Sequence, residues 1–454
     1  MKAFLPTFAA SQKSNRMRLR WWITALLAGL PFWAISAQEK PGCMTLSIEE
    51  MFSLADRNNS GIRSYEFARS AAAEAVKAAR NDRLPSLDFS VSASLLGDGW
   101  LTDRNFKNGM KAPIPRLGNN FAVEAAQVVY AGGAISSRIA LAELKQEAVQ
   151  WEAEENRQDI RFLLAGYYLE LYKLDHQAEV YRQNIDRTRR LLTDIRVRQQ
   201  EGLAIRNDIT RYELQLQRLE LALTQTENSR AVVNDRLATL LGLDTAVRIE
   251  PDKTVTDVLP VVPAESEWQL LAANAPELHR ARLGVEQSRQ GERLARSERI
   301  PSFSLFAGDK LEGPILVEVP PLNQNLNYWY AGVGMKYNIA SLYKSGRNIR
   351  QARYVSRQAE ALEQQAKETV QSAVKEAYIR LDESFAVWQM QEKNLELATQ
   401  NYEVVRFRFL NDLALLTDML DADNEKLAAE LDAANAKANI LFHYYRLQKV
   451  SGNL

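Results

Sequence analysis

The chain has 454 residues, long enough for two or three ordinary domains or for one large repetitive one. Its 57 lysines and arginines balance 57 aspartates and glutamates, which argues against a nucleic-acid binder, whose footprint is a basic excess. A single cysteine, Cys43, excludes an intrachain disulfide.

The first element in chain order is a leader. Lys13, Arg16, Arg18 and Arg20 precede an apolar run over residues 21–37, which closes on Ala34, Ser36 and Ala37 before polar Gln38. That order reads as a secretory signal peptide over residues 1–37, with Met17 as an alternative start. The competing reading is a membrane-anchoring helix, but Pro31 interrupts the run, which falls short of the roughly 20 residues of a span. Without residues 1–37 the chain loses five basic residues and no acidic one, leaving a net charge of −5. Cys43 follows Lys40-Pro41-Gly42, without the aliphatic residue that usually precedes a lipidated cysteine. No later segment is a continuous apolar run of helix-spanning length, so a membrane-crossing form of this chain must cross as a β-barrel.

The remainder is written twice. Asn58, Ile62, Arg80, Pro85 and Ser86 recur as Asn274, Leu278, Arg296, Pro301 and Ser302 at an offset of 216. From Ala142/Ala352 onward the offset is 210, through Tyr168/Tyr378, Leu203-Ala204/Leu413-Ala414, Asp208/Asp418, Glu213/Asp423 and Gly242/Gly452. We read residues 38–250 as the first repeat, 251–264 as a linker and 265–454 as the second repeat.

Each repeat opens with an Ala- and Arg-rich helical stretch, 60–83 and 276–299, ending just before a proline. Two alternating segments follow. Residues 87–95 place Leu87, Phe89, Val91, Ala93 and Leu95 against polar even positions, and Phe121, Val123 and Ala125 begin a second such segment. In the second repeat Phe303, Leu305 and Ala307 alternate, then Trp329, Ala331, Val333, Met335, Tyr337 and Ile339. These patterns predict strands over 85–96, 120–130, 301–307 and 327–339, with Tyr328-Trp329-Tyr330 placed as an interfacial aromatic girdle. Judged alone, each segment also fits a soluble hairpin. Four strands cannot close a barrel, whose smallest outer-membrane forms have about eight, so a barrel here requires an oligomer.

Long breaker-poor stretches complete each repeat. Ala352, Val355, Ala359, Leu362, Ala366, Val370, Ala373, Ala377 and Leu381 form a stripe of period near 3.6, which predicts a nearly straight helix over 345–410. Such a helix is on the order of 100 Å long. Leu427, Leu431, Ala434, Ala438, Leu441 and Tyr445 repeat the stripe in the last helix, and the breaks fall near Glu201-Gly202 and Asn411-Asp412. His176, His279 and His443 are isolated from one another, no Gly-rich phosphate loop is present, and the reading is of a non-enzyme without metal or cofactor.

Together the leader, the duplication and a set of motifs resemble the TolC (outer membrane efflux protein) family over essentially the whole exported chain. The motifs are Asn58, Arg80 and Pro85, repeated as Asn274, Arg296 and Pro301; Gln127-Val128-Val129-Tyr130-Ala131-Gly132-Gly133; and Thr417-Asp418-Met419-Leu420-Asp421-Ala422. The resemblance implies a mainly α fold with a membrane β-barrel part: a homotrimer whose four strands per chain make a 12-stranded outer-membrane barrel, continued by a periplasmic helical barrel. It implies a pore aperture at Asp418, Asp421 and Phe409, with the two carboxylates on one helix face. It also implies adaptor-docking turns at Gly202, Leu203, Asp412 and Leu413, and membrane strands carrying Phe89, Val91, Val123, Phe303, Trp329 and Val333. Phe409, Asp412 and Ala414 depart from the best-known form of the pattern, which holds tyrosine, glycine and arginine there. The implied function is a passive duct for efflux or type I secretion, served by a periplasmic adaptor and an inner-membrane pump of RND or ABC type. A periplasmic coiled-coil scaffold without a pore is the alternative; it accounts for the long helices but not for the duplicated strands.

Overall fold

The computed structural model describes residues 42–318, 320–411 and 413–454. The leader read over residues 1–37 lies outside them. In chain order the elements are β1 (Cys43–Leu46), α1 (Ile48–Asn58), α2 (Ser60–Asn81), β2 (Ser86–Leu95), β3 (Gly99–Leu101), β4 (Met110–Ala112), β5 (Leu117–Ala131), α3 (Ala134–Gln200) and α4 (Arg206–Leu241). Then follow β6 (Arg248–Pro251), α5 (Glu265–Ala272), α6 (Pro276–Ser297), β7 (Ser302–Gly313), β8 (Leu326–Lys336), α7 (Ser341–Leu410) and α8 (Leu416–Val450). The expected repeat is present, with α2-β2-β5-α3-α4 answered by α6-β7-β8-α7-α8.

Several details differ from the sequence reading. Strand β7 runs to Gly313 rather than ending at Ala307, because Gly308, Asp309 and Lys310 interrupt the apolar alternation without interrupting the ladder to β5 and β8. The long helix begins at Ser341, not 345. Helices α1 and α5 and the parallel pair β1–β6 went unread. A signal for α1 was available: Ser47 and Glu50 form a reciprocal capping box, with Ser47 N–H donating to Glu50 at 2.9 Å.

The helices form one open wall, four elements wide at each level. In the half away from the strands α4, α3, α8 and α7 follow one another; in the half nearer the strands the order is α2, α3, α6, α7. Helices α3 and α7, at 67 and 70 residues, run the full length, about 100 Å at 1.5 Å per residue. Beside α3, helices α2 and α4 meet end to end. Asn59 caps α2 through its side-chain oxygen, accepting from Gly61 and Ile62, and its amide nitrogen donates to Leu240 O at 2.8 Å in α4. Gly242 ends α4 at φ +64, and a Cβ there would lie 3.1–3.2 Å from Asn58; Gly452 ends α8 at φ +76 against Ala275 in the same manner. The left-handed turn and the close approach both require glycine.

Two cores are repeat images of one another. Leu164, Leu171 and Leu237 anchor the first, and Val374, Leu381 and Leu447, each 210 residues on, anchor the second. The segment read as a linker runs over both: Val255 packs on the first, Leu259 and Val262 on the second. Tyr168 ties this waist together, donating to Leu46 O at 2.7 Å and accepting from Asp252 N–H at 2.8 Å; burial pushes its phenol up to about 12. The predicted stripe of α7 is buried at Val370, Ala377 and Leu381 but exposed at Val355 and Leu362 (48% and 54%), where α7 is the edge of the wall.

A third cluster, of Leu191, Leu192, Ile195, Tyr212, Tyr402 and Met419, lies next to the two helical turns. A buried polar knot adjoins it. Asp423 is 5% exposed and 3.7 Å from Arg187, whose other nitrogen reaches Glu430 at 3.4 Å; Asn184 donates to Glu430 at 2.9 Å. Burial pushes the Asp423 carboxyl above the usual aspartate range, with Arg187 opposing and Glu430 adding to the shift, and burial likewise raises the Tyr212 phenol. Within this knot Asp423 Oδ1, Arg187 Nη1, Thr188 Oγ1 and the Tyr212 hydroxyl have no hydrogen-bond partner among the described residues. An orphaned buried hydroxyl costs about 1–3 kcal/mol, so Tyr212→Phe should leave stability unchanged or raise it by up to that amount. Thermal melts of the purified protein check this; a marked drop in midpoint would show that the hydroxyl has a partner.

Candidate functional site

The strand end is built by alternation and register. The sheet order β2-β5-β7-β8 is antiparallel throughout, and β2 and β8 are its two edges. One cross-strand row is Phe89, Val123, Asp309 and Trp329; the next is Leu87, Ala125, Ala307 and Ala331; the next pairs Gln127, Leu305 and Val333. A bulge between Val128 and Tyr130 then turns Tyr130 onto this same face opposite Phe303, and their rings lie 6.4 Å apart. All six residues read as membrane-strand positions, Phe89, Val91, Val123, Phe303, Trp329 and Val333, therefore share one face. Asp309 is the charged exception there, and Asn327 donates to it at 2.7 Å.

The opposite face is polar. Asp88, Glu124, Gly308 and Tyr330 form one row, with Lys310 and Tyr328 in the row beyond. Glu124 accepts from the Tyr330 hydroxyl at 2.5 Å and pairs with Lys310 at 3.0 Å. This network corrects the girdle reading of Tyr328-Trp329-Tyr330: register puts only Trp329 on the apolar face and both tyrosines on the polar one. The physical reason is the period of two, which no run of three neighbours can escape. Sequence reasoning also missed the glycine–aromatic partnership across β7 and β8. The Tyr330 ring covers Gly308 and the Phe306 ring covers Gly332, so the rings lie along the wall instead of projecting from it.

The far end is the pair of helical turns. Gly202, at φ +80, follows α3, and Leu203 N–H returns to Arg198 O at 2.8 Å; Leu413 N–H returns to Arg408 O at the same distance. Leu203 and Leu413 are 60% and 65% exposed. Asp412 lies outside the described residues. Asp418 accepts from Leu415 N–H at 3.0 Å at the start of α8, and its repeat image Asp208 does the same for Ile205 in α4. Asp418 thus has a helix-starting role shared by both repeats, whereas Asp421, whose image is Arg211, is particular to the second. Both aspartates are exposed, while Met419, Ala422 and Asp423 face inward. Phe409 is half-buried in the third cluster, its ring 5.2 Å from the Arg198 guanidinium, which also donates to Phe409 O and Leu410 O at 3.3 Å. The buried Asp423–Arg187 knot was not read as a site. Its signal is phase: Asp423 follows Met419 by one helical turn and so shares its buried face.

Among the described residues no cluster of histidine, cysteine, aspartate or glutamate could hold a metal ion, and no helix is long and apolar enough to cross a membrane. The histidines are packed singly: His279 stacks on Trp151 at 3.9 Å and His176 lies against Tyr172.

The sequence matches the family model described as outer membrane efflux protein twice, over residues 51–243 and 268–453. No curated protein matches it. Among solved structures the fold is similar to the outer membrane protein VceC from Vibrio cholerae, with a TM-score of 0.76 at 15% identity, covering 89% of this chain and 96% of that one. It is similar to the outer-membrane channel OprN, with a TM-score of 0.76 at 16% identity and 90% of each chain covered. It is also similar to the open state of the MtrE outer membrane channel from Neisseria gonorrhoeae, with a TM-score of 0.72 at 16% identity, covering 89% and 88%. Those identities speak for the fold, and the family match over both repeats speaks for kinship: this chain belongs to the outer membrane efflux protein family, and is an outer-membrane efflux channel of the TolC type with a periplasmic helical extension.

Proposed function

We propose that three copies close edge to edge into a 12-stranded barrel and a continuous helical tunnel, which passively conducts substrates delivered by an inner-membrane pump through a periplasmic adaptor. The observation that carries this reading is the open wall. At the strand level both β2 and β8 present backbone edges unpaired among the described residues, and no such edge can stand in lipid. At the helical level the same two edges carry exposed apolar residues at heptad spacing: Leu214 and Leu221 on α4, and Met390, Leu397 and Val404 on α7. The apolar sheet face then meets outer-membrane lipid and the polar face lines the lumen. The pump is of RND or ABC type. In the gene product residues 1–37 act as a removable signal peptide, 38–250 and 265–454 as the two repeats, and 251–264 as the segment joining them.

In such a trimer Val91 and Val333 face lipid. Val91→Arg or Val333→Arg costs about 2–4 kcal/mol at mid-membrane and should lower trimer yield and outer-membrane fractionation. Normal yield from both variants would contradict the lipid-facing assignment.

The turns around Gly202-Leu203 and Asp412-Leu413 form the adaptor-docking end. Photocrosslinkers at Leu203 or Leu413 should capture a periplasmic adaptor, whereas capture only from positions beside the strands would place docking at the other end.

Asp418, Asp421 and Phe409 form the aperture. Exposed carboxylates at the turn end of α8, repeated by threefold symmetry, make stacked acidic rings that favour cations. Asp418→Ala/Asp421→Ala should weaken cation selectivity and block by a trivalent cation in planar-bilayer recordings, without abolishing trimer formation. Unchanged selectivity and block would remove these aspartates from the pore.

A further inference from the structure

The connection between β2 and β5, residues 96–116, departs from its repeat image. It carries the ribbon β3–β4, in which Trp100 pairs with Lys111 and Leu101 with Met110. The ribbon does not hide its apolar side chains: Phe106 is 88% exposed, Trp100 70% and Met110 61%. The tip is a constructed turn. Asp103 is its hub, its N–H donating to Lys107 O at 3.0 Å, its carbonyl accepting from Phe106 N–H at 2.8 Å and its carboxylate from Asn108 at 2.7 Å. This holds Phe106 and Asn108 at φ of 62° and 53°, a backbone region unfavourable for a phenylalanine. The Trp100 indole is laid across Gly109, where a Cβ would come within 2.5 Å of Nε1.

The connection carries a cationic excess, with Arg104, Lys107, Lys111 and Arg116 against Asp98 and Asp103. Lys111 is paired with Asp98 at 2.7 Å, while the Asp103 carboxylate keeps its charge and accepts from the neutral Asn108 amide; Arg104 and Lys107, which bracket Phe106 in sequence, have no ion-pair partner among the described residues. The corresponding β7–β8 connection, residues 314–325, holds Glu318 as its charged residue and no cation. Both connections lie at the strand ends away from the helices, hence on the outer side of the membrane. Strain accepted to expose an aromatic ring between two cations that are unpaired among the described residues suits the interface of an anionic leaflet, where rings settle at headgroup depth and Arg and Lys meet phosphates.

We propose that the β3–β4 ribbon is an outer-leaflet anchor, with Trp100 and Phe106 inserted at the headgroup boundary and Arg104 and Lys107 on the phosphates of an anionic lipid surface. The inference rests on the barrel reading above. The test uses full-length protein carrying Cys43→Ser, with a polarity-sensitive dye on Asn105→Cys, reconstituted in phosphatidylcholine vesicles with or without phosphatidylglycerol. Blue-shifted emission and quenching by brominated lipid are expected in the anionic vesicles, and both should be lost in high salt and in Arg104→Gln/Lys107→Gln. The same dye on Val317→Cys of the other loop should show no dependence on lipid charge. Free access of aqueous iodide to position 105 in both vesicle types would overturn the proposal, as would lipid quenching that ignores the charge variant. Shielding from iodide and lipid alike would overturn it too, placing the ribbon over the mouth or against a neighbouring copy. A dye on Val91→Cys must be quenched in both vesicle types; its failure faults the barrel reading rather than the anchor.

Discussion

Backbone hydrogen bonding at a sheet edge governs this molecule. Ten residues of β2 and eleven of β8 each leave one side of their ladder without a partner among the described residues. Water can satisfy such edges and hydrocarbon cannot, so an outer-membrane form has to close the sheet on further strands. The helical wall repeats the constraint in apolar terms, because α4 and α7 end it with exposed leucine, methionine and valine. Strand edges and helix edges lie on the same two chain flanks, so the rotation-related copies of the proposed trimer would answer both.

Duplication explains how one chain builds so long a wall. A helix of 67 or 70 residues needs company along its whole length, and no single antiparallel partner supplies it. Each repeat uses two shorter helices laid end to end, joined where a left-handed glycine lets two backbones approach. The geometry that Gly242 and Gly452 share between the repeats is thus a scaffold device. Function is better sought where the repeats part. Glu213 is an exposed partner of Arg196 at 2.8 Å, while its image Asp423 is buried in the knot. Asp421 stands where the first repeat has Arg211, and the ribboned loop stands where the second repeat has a cation-free one.

The polar face of the sheet keeps its large rings flat, which in the proposed barrel would leave the lumen open. Large rings on an inward face would narrow it. Pairing Tyr330 with Gly308 and Phe306 with Gly332 lays those rings on bare backbone, and Glu124 fixes Tyr330 while Lys310 offsets its charge.

Much of this was legible in the residues themselves. Period two over 87–95 and 329–336, period 3.6 along α7 and the 210-residue echo gave element types, repeat and face, because these follow from local geometry that each segment carries alone. The alternation read on through Tyr337 and Ile339 lies beyond the end of β8 at Lys336. Other features needed the folded chain. The extension of β7 to Gly313 depends on neighbours that hold a ladder through Gly308 and Asp309. The Glu124–Lys310–Tyr330 network joins three strands, and the Asp423–Arg187 knot joins two hairpins more than two hundred residues apart in sequence. Asp418 and Asp208 read alike as carboxylates near a turn; their hydrogen bonds to Leu415 and Ile205 became visible only once the turns were formed. Sequence by itself determined the type of the long periodic segments and which side of each is apolar, since periodicity is a property of one segment. Tertiary structure decided where those apolar stripes are covered and which polar groups meet, since contacts between distant segments depend on register and packing that no local pattern encodes.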